Sequence, residues 1–391
     1  MRFDFAHPER PLIGLNGRFL VAQRTGVQRS AYRLFRSIIE RGDRFNFVLF
    51  TGDSERLAPE WQRPNVRLVT SRLSHRKVLR NHLWEQFELP GLARRAGVRV
   101  LHSPANLAPL LYRGLTVVNI HDLCFLVEPA WFSWSFRLIY SWLVPRIARR
   151  ASFVVTNSNH SKNDILQFIG VPLQRVRLCY WAVEPLFEGA GAGGGRAVPP
   201  AVRQDRILFV GSLEPRKNLS GLLQAFNEFR RSHPQSRTRL SVVGCENPLF
   251  ADASYDLGEF ALDVEFLGYV SDEVLSQLYR TSRMLVYPSF YEGFGFPPLE
   301  AMACGTPVVT SHTSSLPEVV DGAALLIDPK RTDEIADAIA RIHTDTDLAA
   351  DLSRRGLAQA AVFSWEKTAD HILMLYDELL GEGGQDRSPL A

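Results

Sequence analysis

Residues 285–309 read LVYPSFYEGFGFPPLEAMACGTPVV. An apolar run closes at Ser289 and reads as a β-strand running into a glycine-rich loop, Glu292-Gly293-Phe294-Gly295. Pro298 suits the first turn of a helix, Gly305 suits its end, and TPVV opens the next apolar run. This order aims free backbone N–H groups and the positive end of a helix at whatever lies above the strand. The glycines let the backbone approach a ligand closely. Glu292 and Glu300 stand eight positions apart, one in the loop and one in the helix, and a carboxylate's two oxygens match a vicinal diol. The residues alone leave two readings open: a site for a polyhydroxylated anion, or a tight turn with a capping glutamate.

Outward from this stretch the same alternation fills the chain. Strand candidates are LIGLNG (12–17), FNFVLF (45–50), VRLVT (66–70), VRVLHS (98–103), LTVVNI (115–120), SFVVTNS (152–158) and VRLCY (176–180). A second series is RILFVGS (206–212), RLSVVG (239–244), DVEFLGY (263–269), MLVYPS (284–289), TPVVTS (306–311) and AALLID (323–328). Helical patterns lie between them, and continuous apolar strands alternating with helices predict parallel sheets covered on both faces. Residues 184–205, EPLFEGAGAGGGRAVPPAVRQD, have no apolar period and read as a linker. The expectation is α/β, two Rossmann-like doubly wound domains facing a cleft. Its divisions are an N-terminal domain over 1–188, a linker over 189–204, a C-terminal domain over 205–363, and a last helix with a frayed tail over 364–391, the helix crossing back to the first domain.

The 391 residues suit two or three domains, and 46% hydrophobic with 22% charged residues excludes a disordered chain or a disulfide scaffold. Four scattered cysteines without a C-x-x-C pair fit a reducing compartment. No apolar leader opens the sequence and no stretch of eighteen apolar residues spans a bilayer. The net charge of +3 hides an asymmetry: residues 1–190 hold 27 Lys and Arg against 14 Asp and Glu, and the remainder 18 against 28. A basic half suits nucleic acid, anionic lipid or a phosphorylated substrate; an arginine-rich solvated surface is the bland alternative.

Three further stretches carry candidate chemistry. In ILFVGSLEPRKNLSGLLQAF (207–226), Gly211 ends a strand, Arg216 and Lys217 follow in the loop, and Asn218 caps the next helix. Two cations beside a helix start make an anion site, or else a pair of solvated charges. In TVVNIHDLCFLVEP (116–129), His121 and Asp122 follow a strand at its C-terminal end, where open α/β sheets bind ligands. In LIGLNGRFLVAQRTGVQRSAYRL (12–34), Gly26 precedes a helix and Arg18, Arg24 and Arg29 lie nearby, able to meet an acceptor phosphate or to be solvated.

The spacing of Glu292 and Glu300 within EGFGFPPLEAMACGTPVV resembles the donor site of retaining GT-B glycosyltransferases of family GT4, and the resemblance covers nearly the whole chain. It implies that Glu292 approaches the donor sugar and that Glu300 holds the nucleotide ribose. Gly293, Phe294, Gly295, Phe296 and Leu299 line the donor, Arg216 and Lys217 grip its diphosphate, and His121 contacts the sugar. Gly26 and Gly211 join the donor-binding set. The segments TNSNHSKNDI (156–165) and SSLPEVVDGAALLIDP (314–329), with Leu316 and Glu318, match further parts of the family. TGVQR, HSPANLAPL, NIHDLCFLVEP and EPRKNL look most like its mannosyltransferase branch. The resemblance thus favours GDP-mannose as donor and a glycan acceptor on polyprenyl diphosphate, with GDP-rhamnose, UDP-glucose and UDP-N-acetylglucosamine as alternatives. A phosphorylase, an epimerase or a non-catalytic nucleotide-sugar- or lipid-binding protein are the rivals.

No cofactor and no metal is expected: Asp345-Thr346-Asp347 reads D-x-D, but it opens a helical pattern with Asp347 as its cap. No nucleic acid is expected either, because no RNP-like aromatic strand occurs. The segment WFSWSFRLIYSWLVPRIARR (131–150) mixes aromatics with four arginines. It suits a membrane interface or a buried helix, and the first reading places the chain in the cytoplasm, on the inner face of the cytoplasmic membrane, against an anionic surface.

Overall fold

The computed structural model describes residues 1, 3–21, 26–52, 61–71, 78–187, 203–245 and 255–382. Arg24, residues 189–202 of the expected linker and the tail beyond 382 lie outside the described residues. The chain divides into two compact units: Met1–Leu123 with Tyr140–Trp181 and Trp365–Ala391, and Cys124–Ile139 with Ala182–Ser364.

The first unit is built on a seven-stranded sheet of order β3-β2-β1-β4-β5-β6-β7. The strands are β1 Leu12–Asn16, β2 Asn46–Thr51, β3 Val66–Thr70, β4 Val100–Ser103, β5 Leu115–Asn119, β6 Phe153–Thr156 and β7 Val176–Leu178. Every pairing is parallel. The strands β2, β4 and β6 are buried along their whole length, which is why their apolar runs are continuous and not alternating.

The last helix, Trp365–Glu382, belongs to this first unit. Tyr376 Oη, fully buried, meets His102 Nδ1 on β4 at 2.5 Å, while His102 Nε2–H donates to Asn119 Oδ1 at 2.6 Å. At its exposed edge Arg41 forks onto Asp370 at 2.6 Å, and Arg44 reaches Asp377 at 2.7 Å. Trp365 packs its ring on Trp181, 5.5 Å between centroids.

The second unit carries a six-stranded sheet of order β10-β9-β8-β11-β12-β13, again wholly parallel. Its strands are β8 Gln204–Val210, β9 Arg239–Val243, β10 Val264–Gly268, β11 Ser282–Tyr287, β12 Val308–Ser311 and β13 Leu325–Ile327. Ile207, Phe209, Val242, Met284 and Val286 pack against Leu222, Phe226 and Ile339 of the covering helices. Both sheets reverse strand order once, between β1 and β4 and between β8 and β11. Crevices at the C-terminal ends of such strands are where doubly wound sheets hold ligands.

Two glycines in the second unit are required by close approach. Gly244 has φ +146, and a methyl group there would sit 1.7 Å from the Gly211 carbonyl oxygen. Gly295 has φ +112, and a methyl group there would meet Leu316 Cδ2 at 2.8 Å. The D-x-D segment is a helix start, but the cap is Asp345 and not Asp347: its side chain accepts from Leu348 N–H at 2.9 Å, ahead of the helix Thr346–Ala360. Asp345 is the residue that retains extended backbone, as a capping position requires.

Candidate active site

The order reversal between β8 and β11 gathers a buried cluster of charged side chains. Past β8 the chain makes a short turn, Pro215–Lys217, and Asn218 caps the helix Leu219–Ser232 by accepting from Gly221 N–H. Past β11 come Ser289 and Glu292. Lys217 Nζ donates to Glu292 Oε1 at 2.6 Å and to Tyr287 Oη at 2.5 Å. Arg216 Nη1 donates to Glu292 Oε2 at 2.8 Å, and its Nη2 donates to Glu214 Oε1 at 2.6 Å. The hydroxyls of Tyr287 and Ser289 also donate to Glu292 Oε1, at 2.8 and 2.7 Å.

The cluster is charge-balanced, with two cations against Glu214 and Glu292. Neither Arg216 nor Lys217 is a solvated surface charge. Burial alone would raise the Glu292 pKa, but Arg216 and Lys217 override it and hold the carboxyl at about 2. Burial and the Glu292 charge push the Tyr287 phenol well above its ordinary range, so it stays a donor. Two buried atoms here make no hydrogen bond among the described residues, Arg216 Nε and Glu214 Oε2.

The loop after β11 is held from below. Glu292 N–H donates to Ser314 Oγ at 2.9 Å, and the Ser315 hydroxyl is shared between the carbonyls of Glu292 and Phe294. The N–H groups of Phe294 and Gly295 donate to no described acceptor. Helix Phe296–Ala303 begins directly after Gly295. Its dipole end carries fewer donors than the sequence suggests, because Pro297 and Pro298 have no N–H. The amides left to receive an anion are therefore those of the loop. Glu300, buried in that helix, accepts from Tyr279 Oη at 2.9 Å.

The remaining expected residues divide between packing and the other unit. Gly211 lies against the Lys217 stem, where a methyl group would make ordinary contact at 3.5 Å. Leu299 is fully buried, and its side chain serves the core. Phe294 is buried edge-on to Phe296 and Phe363. His121 and Gly26 belong to the first unit. His121 is buried, and its Nε2–H donates to the Pro104 carbonyl at 3.0 Å; burial lowers its ring pKa and keeps it neutral. Gly26 is the exposed first residue of helix Gly26–Arg41, with no atom within 4 Å of an added methyl group. Arg18 is committed to a carboxylate and not held free for a phosphate: its Nη1 donates to the buried Glu85 at 3.0 Å.

Two family models match the chain. Residues 24–185 match glycosyltransferase family 4, and residues 196–359 match the glycosyl transferases group 1 model. Over 318 residues the chain is 30% identical to D-inositol 3-phosphate glycosyltransferase of Acidothermus cellulolyticus, covering 78% of this chain and 68% of that one. The chain belongs to glycosyltransferase family 4. Within GT4 it is 36% identical over 237 residues to O-antigen chain mannosyltransferase B of Escherichia coli, spanning 58% of this chain and 60% of that protein. It is 34% identical over 179 residues to the serotype-specific mannosyltransferase WbdA, of which it spans about a fifth. Among solved structures, sucrose-phosphate synthase of Thermosynechococcus elongatus superposes with a TM-score of 0.73 over 95% of this chain and 100% of that one at 22% identity. Anabaena HepE, solved with UDP and glucose, superposes at 0.66 and 19% identity over 94% of this chain and 99% of that one. These likenesses make the fold GT-B.

Sequence reasoning about this GT4 site missed Glu214, Tyr279, Tyr287, Ser289, Ser314 and Ser315. Tyr287 and Ser289 were within reach, since both stand at the C-terminal end of an apolar strand. Ser314 and Ser315 come from a different loop, and no local pattern ties them to Glu292.

Proposed function

We propose that this GT4 protein is a retaining, metal-independent hexosyltransferase that moves mannose from GDP-mannose to a hydroxyl of a lipid-linked glycan in bacterial surface polysaccharide synthesis. The reading is carried by the buried pair of cations, Arg216 and Lys217, set at the β8/β11 reversal beside Glu292 and the loop amides of Phe294 and Gly295. Breaking an anomeric C–O bond leaves negative charge on a diphosphate, and preorganised cations and amides stabilise that charge. The acceptor oxygen bonds to the anomeric carbon on the face the diphosphate leaves, and its proton passes to the departing phosphate oxygen. Nucleoside diphosphate is released. Glu292, ionised across the physiological range, accepts sugar hydroxyls and supports the cationic anomeric centre. Glu300 accepts from the ribose.

The mannosyl donor rests on the two Escherichia coli mannosyltransferases named above. HepE with UDP and glucose makes uridine donors the second reading. Thermal shift against GDP, UDP, ADP, dTDP and their sugars separates them, because ligand at 100 times its Kd adds about 2.7 kcal/mol. Stabilisation by GDP and GDP-mannose is expected. Stabilisation by UDP species alone would overturn the donor, and silence from every nucleotide would overturn the reading.

The same proposal places the protein against the inner face of the cytoplasmic membrane. Helix Trp134–Arg150 buries Leu143, Val144, Ile147 and Ala148 but exposes Trp134, Leu138 and Trp142 along one i, i+4, i+8 stripe. Residues 129–163 hold no Asp or Glu, and Arg146 lies 4.2 Å over the Trp142 ring. No described helix is long and apolar enough to cross a membrane. Flotation with anionic vesicles at low salt, lost in Trp134→Ser/Trp142→Ser, is the expected result; recovery of all protein in the soluble fraction would refute it.

A further inference from the structure

The first unit contains a recess at the opposite end of its strands from His121. It has a volume of about 530 Å³ and is lined by Arg94, Leu110, Leu111, Arg113 and Arg150. A smaller recess of about 110 Å³ shares Leu110, Arg113 and Arg150 and reaches Thr116 and Ser152. The three arginines come from three places in the chain. Arg94 is in the last turn of helix Leu89–Ala96, Arg113 is in the loop before β5, and Arg150 ends helix Trp134–Arg150 just before β6. All therefore gather at the N-terminal ends of the strands, whereas His121 follows the C-terminal end of β5.

No carboxylate lines either recess among the described residues. The described ion pairs of the chain involve fourteen other arginines of both units, such as Arg41, Arg177 and Arg231, and none of these three. Like charges that converge on one concavity repel, and no described carboxylate lines it to neutralise them, although the three side chains are exposed and water screens them in part. Neutral donors stand beside them. The Ser152 hydroxyl oxygen accepts from Thr116 N–H at 3.1 Å and keeps its own O–H to donate. Guanidinium forks with a neighbouring hydroxyl match the tetrahedral oxygens of a phosphate group better than a single carboxylate.

We infer that this recess is a second anion site, outside the transfer chemistry, that binds a phosphate-bearing group through Arg94, Arg113 and Arg150. Two sources supply that chemistry, a soluble phosphate compound or the headgroup of an anionic lipid. The inference is independent of the donor site in the other unit.

The test compares the wild type with Arg113→Gln/Arg150→Gln and with the charge-preserving Arg113→Lys/Arg150→Lys. Both positions are exposed, and thermal melting checks that each variant folds as the wild type does. Calorimetric titration with inorganic pyrophosphate counts sites. A soluble phosphate ligand predicts one site fewer in the Gln variant than in the wild type, whatever the number contributed by Arg216 and Lys217. Flotation with phosphatidylglycerol vesicles, against phosphatidylcholine vesicles as reference, tests the headgroup. There the prediction is at least a tenfold loss of vesicle partitioning in the Gln variant with partial recovery in the Lys variant. Either result supports the site and identifies its ligand source. Equal pyrophosphate stoichiometry together with equal partitioning in the wild type and the Gln variant would overturn it. Failure of the nucleotide panel would leave both readouts unaffected, so the two proposals fail separately.

Discussion

Lys217 and Glu292, 75 residues apart in the chain, meet at 2.6 Å with both side chains 8% exposed. Each is the partner that makes burial of the other tolerable. Removing the Glu292 charge leaves Lys217 without the carboxylate it donates to and costs about 3–5 kcal/mol, whereas removing Lys217 leaves Glu292 paired with Arg216 and costs less. Lys217→Met keeps the stem that packs on Gly211 and removes the charge, and Glu292→Gln keeps the shape. The double variant is expected to be less destabilised than the sum of the singles by about 1–3 kcal/mol. Denaturant unfolding of all four proteins measures this, and strict additivity would show that the pair is not coupled. Under the proposed chemistry each single variant also loses on the order of 10²–10³ in donor turnover.

Tyr287→Phe tests the hydroxyl that both partners use. It removes bonds to Lys217 at 2.5 Å and to Glu292 at 2.8 Å without changing ring packing. The expected cost is about 1–3 kcal/mol in unfolding free energy. A melting curve superposable on the wild type would mean that the hydroxyl contributes nothing.

Two glycines separate a structural role from a ligand role. Gly244→Ala drives a methyl group to 1.7 Å from the Gly211 carbonyl at φ +146, and a loss of more than about 4 kcal/mol is expected, read as insoluble or unfolded protein. Gly26→Ala has open space at the start of a helix and is expected to be neutral or to stabilise by up to about 1 kcal/mol. Loss of donor turnover in a stable Gly26→Ala variant would place that glycine against a substrate; full activity would leave it a helix start.

His102 makes the first unit sensitive to mild acid. Burial lowers its pKa from 6.5 to about 4, against the Asn119 hydrogen bond that favours the charged ring. The unfolded chain takes up the proton first as pH falls. The contribution of neutral His102, roughly 3 kcal/mol, is therefore complete above about pH 6.5 and disappears as the pH drops to about 4. His82, lowered to about 4 by burial and by Arg18, acts in the same direction. Unfolding measured at pH 7 and pH 4.5 should show the loss, and His102→Gln should shrink it. An unchanged pH slope in that variant would remove His102 from the account.

Each of the thirteen described strands was visible as an apolar run, most plainly interior ones such as β2, β4 and β6 that are buried along their whole length, whereas edge strand β10 has no fully buried position and carries Glu265. The helix cap at Asn218 was equally plain, being decided within four residues. What the sequence hides is contact between distant loops. Glu214 reads as a surface acid before a proline, yet it is buried against Arg216. The aromatic segment 131–150 offered a membrane face or a core helix, and the helix has one buried side and one exposed apolar side, with Leu143 buried and Trp142 exposed. The assignment of Cys124–Ile139 to the second unit likewise depends on tertiary contacts that no local window contains.

The return of helix Trp365–Glu382 to the first unit sets the timing of biosynthesis. Arg41 leaves the ribosome 329 residues before Asp370, its partner. At roughly 5–20 residues per second, the seat for Tyr376 beside His102 stands open for tens of seconds while the entire second unit is made. The second unit can close on itself during that interval, but the first cannot be finished until Trp365–Glu382 has been made. A nascent chain stalled before Trp365 would thus carry a folded second unit and an apolar surface on its older half for a chaperone to cover.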